Sequence, residues 1–164
     1  MKLVLSNYTE NDLEAVIEVI SNAWDMEVEC SADGVIATED EDDEYVLGRS
    51  CIYAEGIAKE IVAEAPSISF IMTGIIDDSE HTGTLQQFEI NYNEKLTIRL
   101  SDWYSEILFE DYDTYESLLD DFELEDEYTE DDYNNDIESG KDAIYMTDDG
   151  IVESIELGEP EIIK

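Results

Sequence analysis

The stretch LQQFEINYNEKLTIRLSDWY, residues 85–104, carries the signal that decides the fold. Phe88, Ile90 and Tyr92 alternate with polar residues on one side of Asn93-Glu94, and Leu96, Ile98 and Leu100 do so on the other. A period of two sorts side chains onto the two faces of a strand, and a short polar break between two such runs is where a hairpin turns. The stretch predicts antiparallel strands from Leu85 to Tyr92 and from Leu96 to Tyr104 with one covered face. Ser67 to Asp77 reads as a strand before them, and Trp103, Tyr104, Ile107, Leu108 and Phe109 extend the meander beyond.

The covered face needs a second layer, and the upstream sequence offers two helices. Leu13, Val16, Ile17, Ile20 and Trp24 recur at helical spacing, and Thr9 with Asp12 three residues on reads as a capping box at their start. A second helix is expected from about Ser50 to Ala65, with Ile52, Ile57, Ile61 and Val62 inward and Pro66 past its end, although Gly56 lowers its propensity. Lys2 to Tyr8 reads as a first strand. Glu27 to Ser31 and Val35 to Thr38 read as a hairpin around Ala32-Asp33-Gly34. Residues 1–109 are thus an expected α+β core of two helices on a mostly antiparallel sheet.

From Glu110 to Glu138 the composition changes: 15 of 29 residues are acidic, and no Lys or Arg occurs between Arg99 and Lys141. Tyr115, Leu118, Leu119 and Phe122 still give an i, i+3, i+4, i+7 stripe, which predicts a short amphipathic helix. A second helix is expected from Thr129, with Tyr133 and Ile137 on one face. Asp142 to Thr147 and Ile151 to Leu157, around Asp148-Asp149-Gly150, read as a closing hairpin. Residues 110–164 are therefore expected as an acidic helical segment and a C-terminal hairpin, packed on the core as one compact unit.

Charge dominates the chemistry. The chain carries 46 Asp and Glu against 7 Lys and Arg, a formal net charge of -39 on 164 residues. Small domains ordinarily carry a net charge of magnitude ~2–8. Hydrophobic residues at 43% and aromatics at 10% nevertheless predict a folded chain rather than a disordered polyanion. No apolar run of about 18 residues spans a membrane, the N-terminus lacks a signal-peptide pattern, and anionic lipid surfaces would repel the chain. Cys30 and Cys51 make no CxxC pair and read as free thiols. Together these features predict a cytoplasmic protein.

Motifs for catalysis and cofactors are missing. His81, the one histidine, sits in a turn-like Asp-Asp-Ser-Glu-His-Thr-Gly, and no GxSxG, GxGxxG or GxxxxGK[ST] occurs. Carboxylates are so numerous that no pair stands out as an acid–base site. The nearest approach to a calcium loop starts at Asp132, with Asn134 and Asp136 in step, but Ile137 stands where glycine is needed and Ala143 where a bidentate glutamate is needed. The expectation is no enzyme, no cofactor and no specific metal.

Acids recur at helical spacing, as Glu10, Glu14 and Glu18; Glu116 and Asp120; Glu123, Glu127 and Asp131; and Asp132 and Asp136. On helices these sets would form rows with carboxylates ~5–6 Å apart. The expected partner-binding acids are the run Glu39, Asp40, Glu41, Asp42, Asp43 and Glu44, together with Glu116, Asp120, Asp121, Glu123, Glu125, Asp126, Glu127, Glu130, Asp131, Asp132 and Asp136. Tyr112, Tyr115, Tyr128 and Tyr133 are interleaved with them, as interface anchors or as a small hydrophobic cluster, the latter preferred for Tyr115. In length, acidity and lack of catalytic motifs the chain resembles the acidic DNA-mimic proteins that phages and plasmids direct against restriction enzymes and CRISPR complexes, although no motif ties it to one such family. The resemblance implies an inhibitor that fills the cationic DNA channel of a bacterial defence complex. Its partner would be a basic nucleic-acid-binding protein or ribonucleoprotein, with no direct DNA or RNA binding. Two alternatives stand beside it: a dedicated inhibitor or immunity protein for one basic nuclease, and an acidic protein whose charge serves solubility alone. Halophily also yields acidic surfaces, but Ile, Tyr and Asn, residues of AT-rich coding, point to a low-GC bacterium or its mobile elements.

Overall fold

A computed structural model describes residues 2–24, 35–37, 51–77, 83–122, 124 and 127–164. Strand β1 (Lys2–Ser6) leads into α1 (Glu10–Trp24), followed by β2 (Val35–Ala37), α2 (Cys51–Glu64), β3 (Ser69–Asp77), β4 (Leu85–Asn93), β5 (Lys95–Leu100) and β6 (Tyr104–Leu108). After a 3-10 turn at Phe109–Asp111 come α3 (Tyr115–Asp121), α4 (Glu130–Ser139), β7 (Ala143–Thr147), β8 (Gly150–Val152) and β9 (Glu161–Ile162). The described strands form one antiparallel sheet in the order β2-β1-β3-β4-β6-β7-β8, with β5 beside β4 and β9 beside β5. The α+β class is as the sequence predicts.

Alternation fixes which side of this sheet is covered. Leu3 and Leu5, Phe70 and Met72, and Phe88 and Ile90 face one way and are buried, against Val16, Val19 and Ile20 of α1 and Ala54, Ile57, Ala58 and Ile61 of α2. Each fully buried large aliphatic or aromatic side chain is worth about 1.5–3 kcal/mol. Outward-facing Val4, Ile71 and Ile75 are 36%, 41% and 48% exposed, so the opposite face of β1 and β3 is open.

Strands β5 and β6 are one strand bent at a bulge. Phe88 pairs with Leu100 and Leu85 with Tyr104, so Ser101, Asp102 and Trp103 oppose only Gln86 and Gln87. An extra residue on one strand bends it and increases its twist. Ser101 makes the bulge tolerable: its hydroxyl accepts from the Gln87 N–H at 2.9 Å and donates to the Asp102 carbonyl at 2.7 Å, while its own carbonyl accepts from the buried Gln86 amide at 2.8 Å. Beyond the bend lies a second buried cluster of Ile107, Phe109, Leu118, Leu124, Tyr128, Tyr133 and Ile144.

Three details differ from the sequence reading. The strand expected to run unbroken from Leu96 to Tyr104 is interrupted by the bulge. The terminal hairpin is no separate closing element, because β7 pairs with β6 along its whole length and continues the main sheet. Its second strand ends at Val152 rather than Leu157, and the chain returns to the edge of β5, where Leu157 bridges Ser101 and Ile162 pairs with Thr97. The expected hairpin arm Glu27–Ser31 lies outside the described residues.

Gly56 sits in the interior of α2, exposed, with nothing within 4 Å of where a Cβ would lie. Glycine costs a helix interior about 0.5–1 kcal/mol relative to alanine. Gly56→Ala is expected to stabilise the protein by about that amount, read as a higher urea midpoint at unchanged slope.

Candidate functional site

The acidic half is built from two short helices that begin alike. Thr114 caps α3, its hydroxyl accepting from the Ser117 N–H, and the Ser117 hydroxyl returns to the Thr114 backbone. Thr129 caps α4, accepting from the Asp132 N–H at 3.2 Å, while the Asp132 carboxylate accepts from the Thr129 N–H at 3.0 Å and its hydroxyl at 2.7 Å. The Thr9–Asp12 box expected at the start of α1 has the same geometry. Gly140, at φ 80°, ends α4 with a left-handed cap.

Inward faces of these helices are aromatic, and each tyrosine hydroxyl reaches a partner. Tyr115 donates to the Tyr128 carbonyl at 2.5 Å, Tyr133 to the Tyr112 carbonyl at 2.9 Å, Tyr128 to Asp136 Oδ2 at 2.9 Å and Tyr112 to Asp121 Oδ2 at 3.2 Å. Phe109 meets Tyr133 edge-on with ring centroids 5.6 Å apart. Of the two roles open to these tyrosines, the structure shows the hydrophobic cluster: Tyr128 and Tyr133 are buried in it, with Tyr112 and Tyr115 packed against it.

Acids on the outside divide into two groups. Asp132 caps a helix, and Asp136 holds Lys141 Nζ at 2.9 Å as well as the Tyr128 hydroxyl. Glu116, Asp120, Glu127, Glu130 and Asp131 are exposed and form no ion pair among the described residues, and the same holds for Glu10, Glu14 and Glu18 along α1. Asp121 is exposed but holds the Tyr112 hydroxyl. Glu39, Asp40, Glu41, Asp42, Asp43, Glu44, Glu123, Glu125 and Asp126 lie outside the described residues, as do Cys30 and His81.

Local electrostatics follow these contacts. Hydrogen bonds from Thr129 hold the Asp132 carboxyl below its ordinary value, and those from Thr9 do the same for Asp12. Burial, reinforced by the bond to Asp136, pushes the Tyr128 phenol up, and Asp136 raises Lys141. Residues 132–139, which carry the calcium-like spacing, are helical and cannot wrap an ion as a loop would. Among the described residues no group of three or more His, Cys, Asp or Glu is disposed to hold a metal, and no helix is long and apolar enough to cross a membrane.

The fold and this surface define an α+β protein with a capped and aromatic-cored anionic region. No family model, curated protein or solved structure matches the chain.

Two expected outcomes separate the acid groups. Asp136→Ala leaves a tyrosine hydroxyl and an ammonium without their acceptor and should destabilise by about 1.5–3 kcal/mol, the range of a hydrogen bond to a charged group, whereas Asp120→Asn, exposed at the C-terminal end of α3, should cost nothing in urea denaturation. Asp132 supplies a pH test. Its carboxyl is lowered in the folded state from an ordinary 3.8, so the charge contributes fully above that value and is lost as pH falls through the lower folded one. The difference in urea midpoint between the natural chain and Asp132→Asn should be constant near neutrality and close in strong acid.

Proposed function

We propose that this chain is a DNA mimic: a stoichiometric inhibitor that occupies the cationic DNA-binding channel of a bacterial defence complex, a CRISPR effector or restriction enzyme, in the cytoplasm of the host cell. One observation carries the reading. Exposed carboxylates stand in rows on capped helices, Glu10, Glu14 and Glu18 on α1 and Glu116 and Asp120 on α3, with no ion pair among the described residues, in a chain of net charge -39; the row expected of Glu123, Glu127 and Asp131 is not formed, since Glu127 lies in the turn before α4. Lys and Arg that normally grip phosphates would bind these carboxylates through charge-assisted hydrogen bonds, and DNA would be excluded by occupancy. No catalytic step is required of the inhibitor.

Division of the acids refines which residues do this. Asp132 and Asp136 build the helices, while Glu116, Asp120, Glu127, Glu130 and Asp131 are left exposed in the acidic half and Glu10, Glu14 and Glu18 along α1. Long-range attraction between such a surface and a basic channel gives fast association and strong salt dependence.

The test is capture from bacterial lysates expressing representative CRISPR and restriction complexes, eluted by salt and challenged with duplex DNA. A nucleic-acid-binding complex displaced by both is the expected result. Exposed ion pairs are worth about 0–1 kcal/mol each, so Glu116→Gln, Asp120→Asn, Glu130→Gln and Asp131→Asn together should weaken capture about tenfold. A single partner insensitive to DNA would favour a dedicated nuclease inhibitor, full binding by the neutralised variant would overturn this assignment of the surface, and no partner would return the charge to solubility.

A further inference from the structure

The open face of the sheet is the reverse of the rest of the molecule. Cross-strand registers set its outward side chains in rows: Ile75 and Gln87; Lys2, Thr73, Glu89 and Arg99; Val4, Ile71, Asn91, Thr97 and Ile162; and Ser6, Ser69, Asn93 and Lys95. These rows contain one of the chain's 46 acids, with a second, Asp77, at the next register position opposite Leu85, and, in Lys2, Lys95 and Arg99, three of its 7 basic residues. The acid within the rows, Glu89, is 3.6 Å from Arg99 Nη1. Large aliphatic groups stay in solvent, with Ile71 41%, Ile75 48% and Ile162 62% exposed. In so acidic a chain, a polar surface kept only for hydration would be expected to hold its share of carboxylates.

We infer that this face binds a second copy of the chain, sheet against sheet, about a two-fold axis running along the strands between β4 and β5. Charge excludes the other obvious occupant, because a basic partner would meet Lys2, Lys95 and Arg99. The pattern itself is self-complementary. Folding the third row over that axis sets Ile71 on Ile162 of the second copy and Asn91 on Thr97 of the second copy. The same operation on the second row sets Glu89 over Arg99 of the second copy, where the guanidinium also donates to the Leu157 and Gly158 carbonyls of its own chain. A two-fold interface requires such reciprocity, in which i meets j and j meets i.

Repulsion between the copies is tolerable in this arrangement. Sheets stack ~10 Å apart, and the helix layer of each copy lies on the far side, so the acid rows of the two α1 helices are separated by several times the ~8 Å Debye length of physiological salt. About that axis β3, β4, β5 and β9 find counterparts and β1 does not, and four strands at ~4.8 Å over about 20 Å give a footprint of roughly 400 Å² in projection, below the size of stable interfaces. The dimer is therefore weak and concentration-dependent. Because the opposing force is net charge, which salt screens, salt strengthens it, the reverse of the salt effect on a cationic partner. The inference does not rest on the inhibitor reading, and either can fail alone.

Sedimentation equilibrium of the full chain at 0.05 and 0.5 M NaCl tests it. A monomer–dimer equilibrium that tightens with salt is expected. Ile71→Asp, at an exposed position, should weaken it at least tenfold with an unchanged circular dichroism spectrum. Geometry is tested by the double variant Ile71→Cys and Ile162→Cys, in a chain with Cys30→Ser and Cys51→Ser. Three strand spacings, ~14 Å, separate the two positions within one copy, and facing positions on stacked sheets lie ~10 Å apart, beyond disulfide reach, so a bis-maleimide with a spacer of about 10 Å should yield covalent dimer. A monomer at millimolar concentration in high salt, a dimer indifferent to Ile71→Asp, or crosslinking that gives no covalent dimer would overturn the proposal.

Discussion

Thirty-nine uncompensated negative charges within one small fold repel one another at every working pH near neutrality, and the rest of the architecture is arranged around that repulsion. Like charges one helical turn apart cost ~0.2–0.5 kcal/mol per pair, and α1 stacks three of them. Such terms are met by apolar burial rather than by counter-charge, since the described ion pairs are few and mostly exposed. Leu3, Val16, Ile20, Ile61 and Ile90 lose all contact with water beneath the two long helices. In the acidic half, where apolar residues are scarcer, tyrosine takes over: it buries a ring and donates its hydroxyl to a carbonyl or carboxylate.

Hydrogen bonding at chain ends completes this economy. Three helices start from Thr with a reciprocal acceptor three residues on, and two of those acceptors are aspartates. A carboxylate placed at a helix N-terminus satisfies backbone donors and meets the positive end of the helix dipole, so the charge becomes stabilising where it stands. Repulsion is thereby lowered at the very positions where an acid has structural work to do, and the remaining acids project outward from backbones already held in place.

Much of this was legible in the sequence because it rests on local periodicity. The alternation at Phe88, Ile90, Leu96 and Ile98, the stripe at Val16 and Ile20, and the Tyr115–Phe122 spacing each report one element whose partner need not be known. What stayed hidden depends on pairing between distant residues. Ala54 and Ala58 are buried to the last few percent, yet alanine adds nothing to a hydrophobic stripe. The bulge at Ser101 shows only once Gln86 and Gln87 are known to lie opposite, and the docking of Glu161–Ile162 on β5 adds a two-residue strand with no pattern of its own. For the candidate site, the sequence located the acids but could not separate Asp132 and Asp136, bound within the fold, from Glu130 and Asp131, because that distinction is made by Thr129, Tyr128 and Lys141 in space.

The bend at Ser101 sits between the two hydrophobic clusters, and it sets the angle at which one charged half is presented relative to the other. Excising one bulge residue would leave every strand partner and every inward face as it is, yet straighten the strand and swing one array of carboxylates against the other. The footprint of this polyanion is thus adjustable by a single codon that encodes no charge.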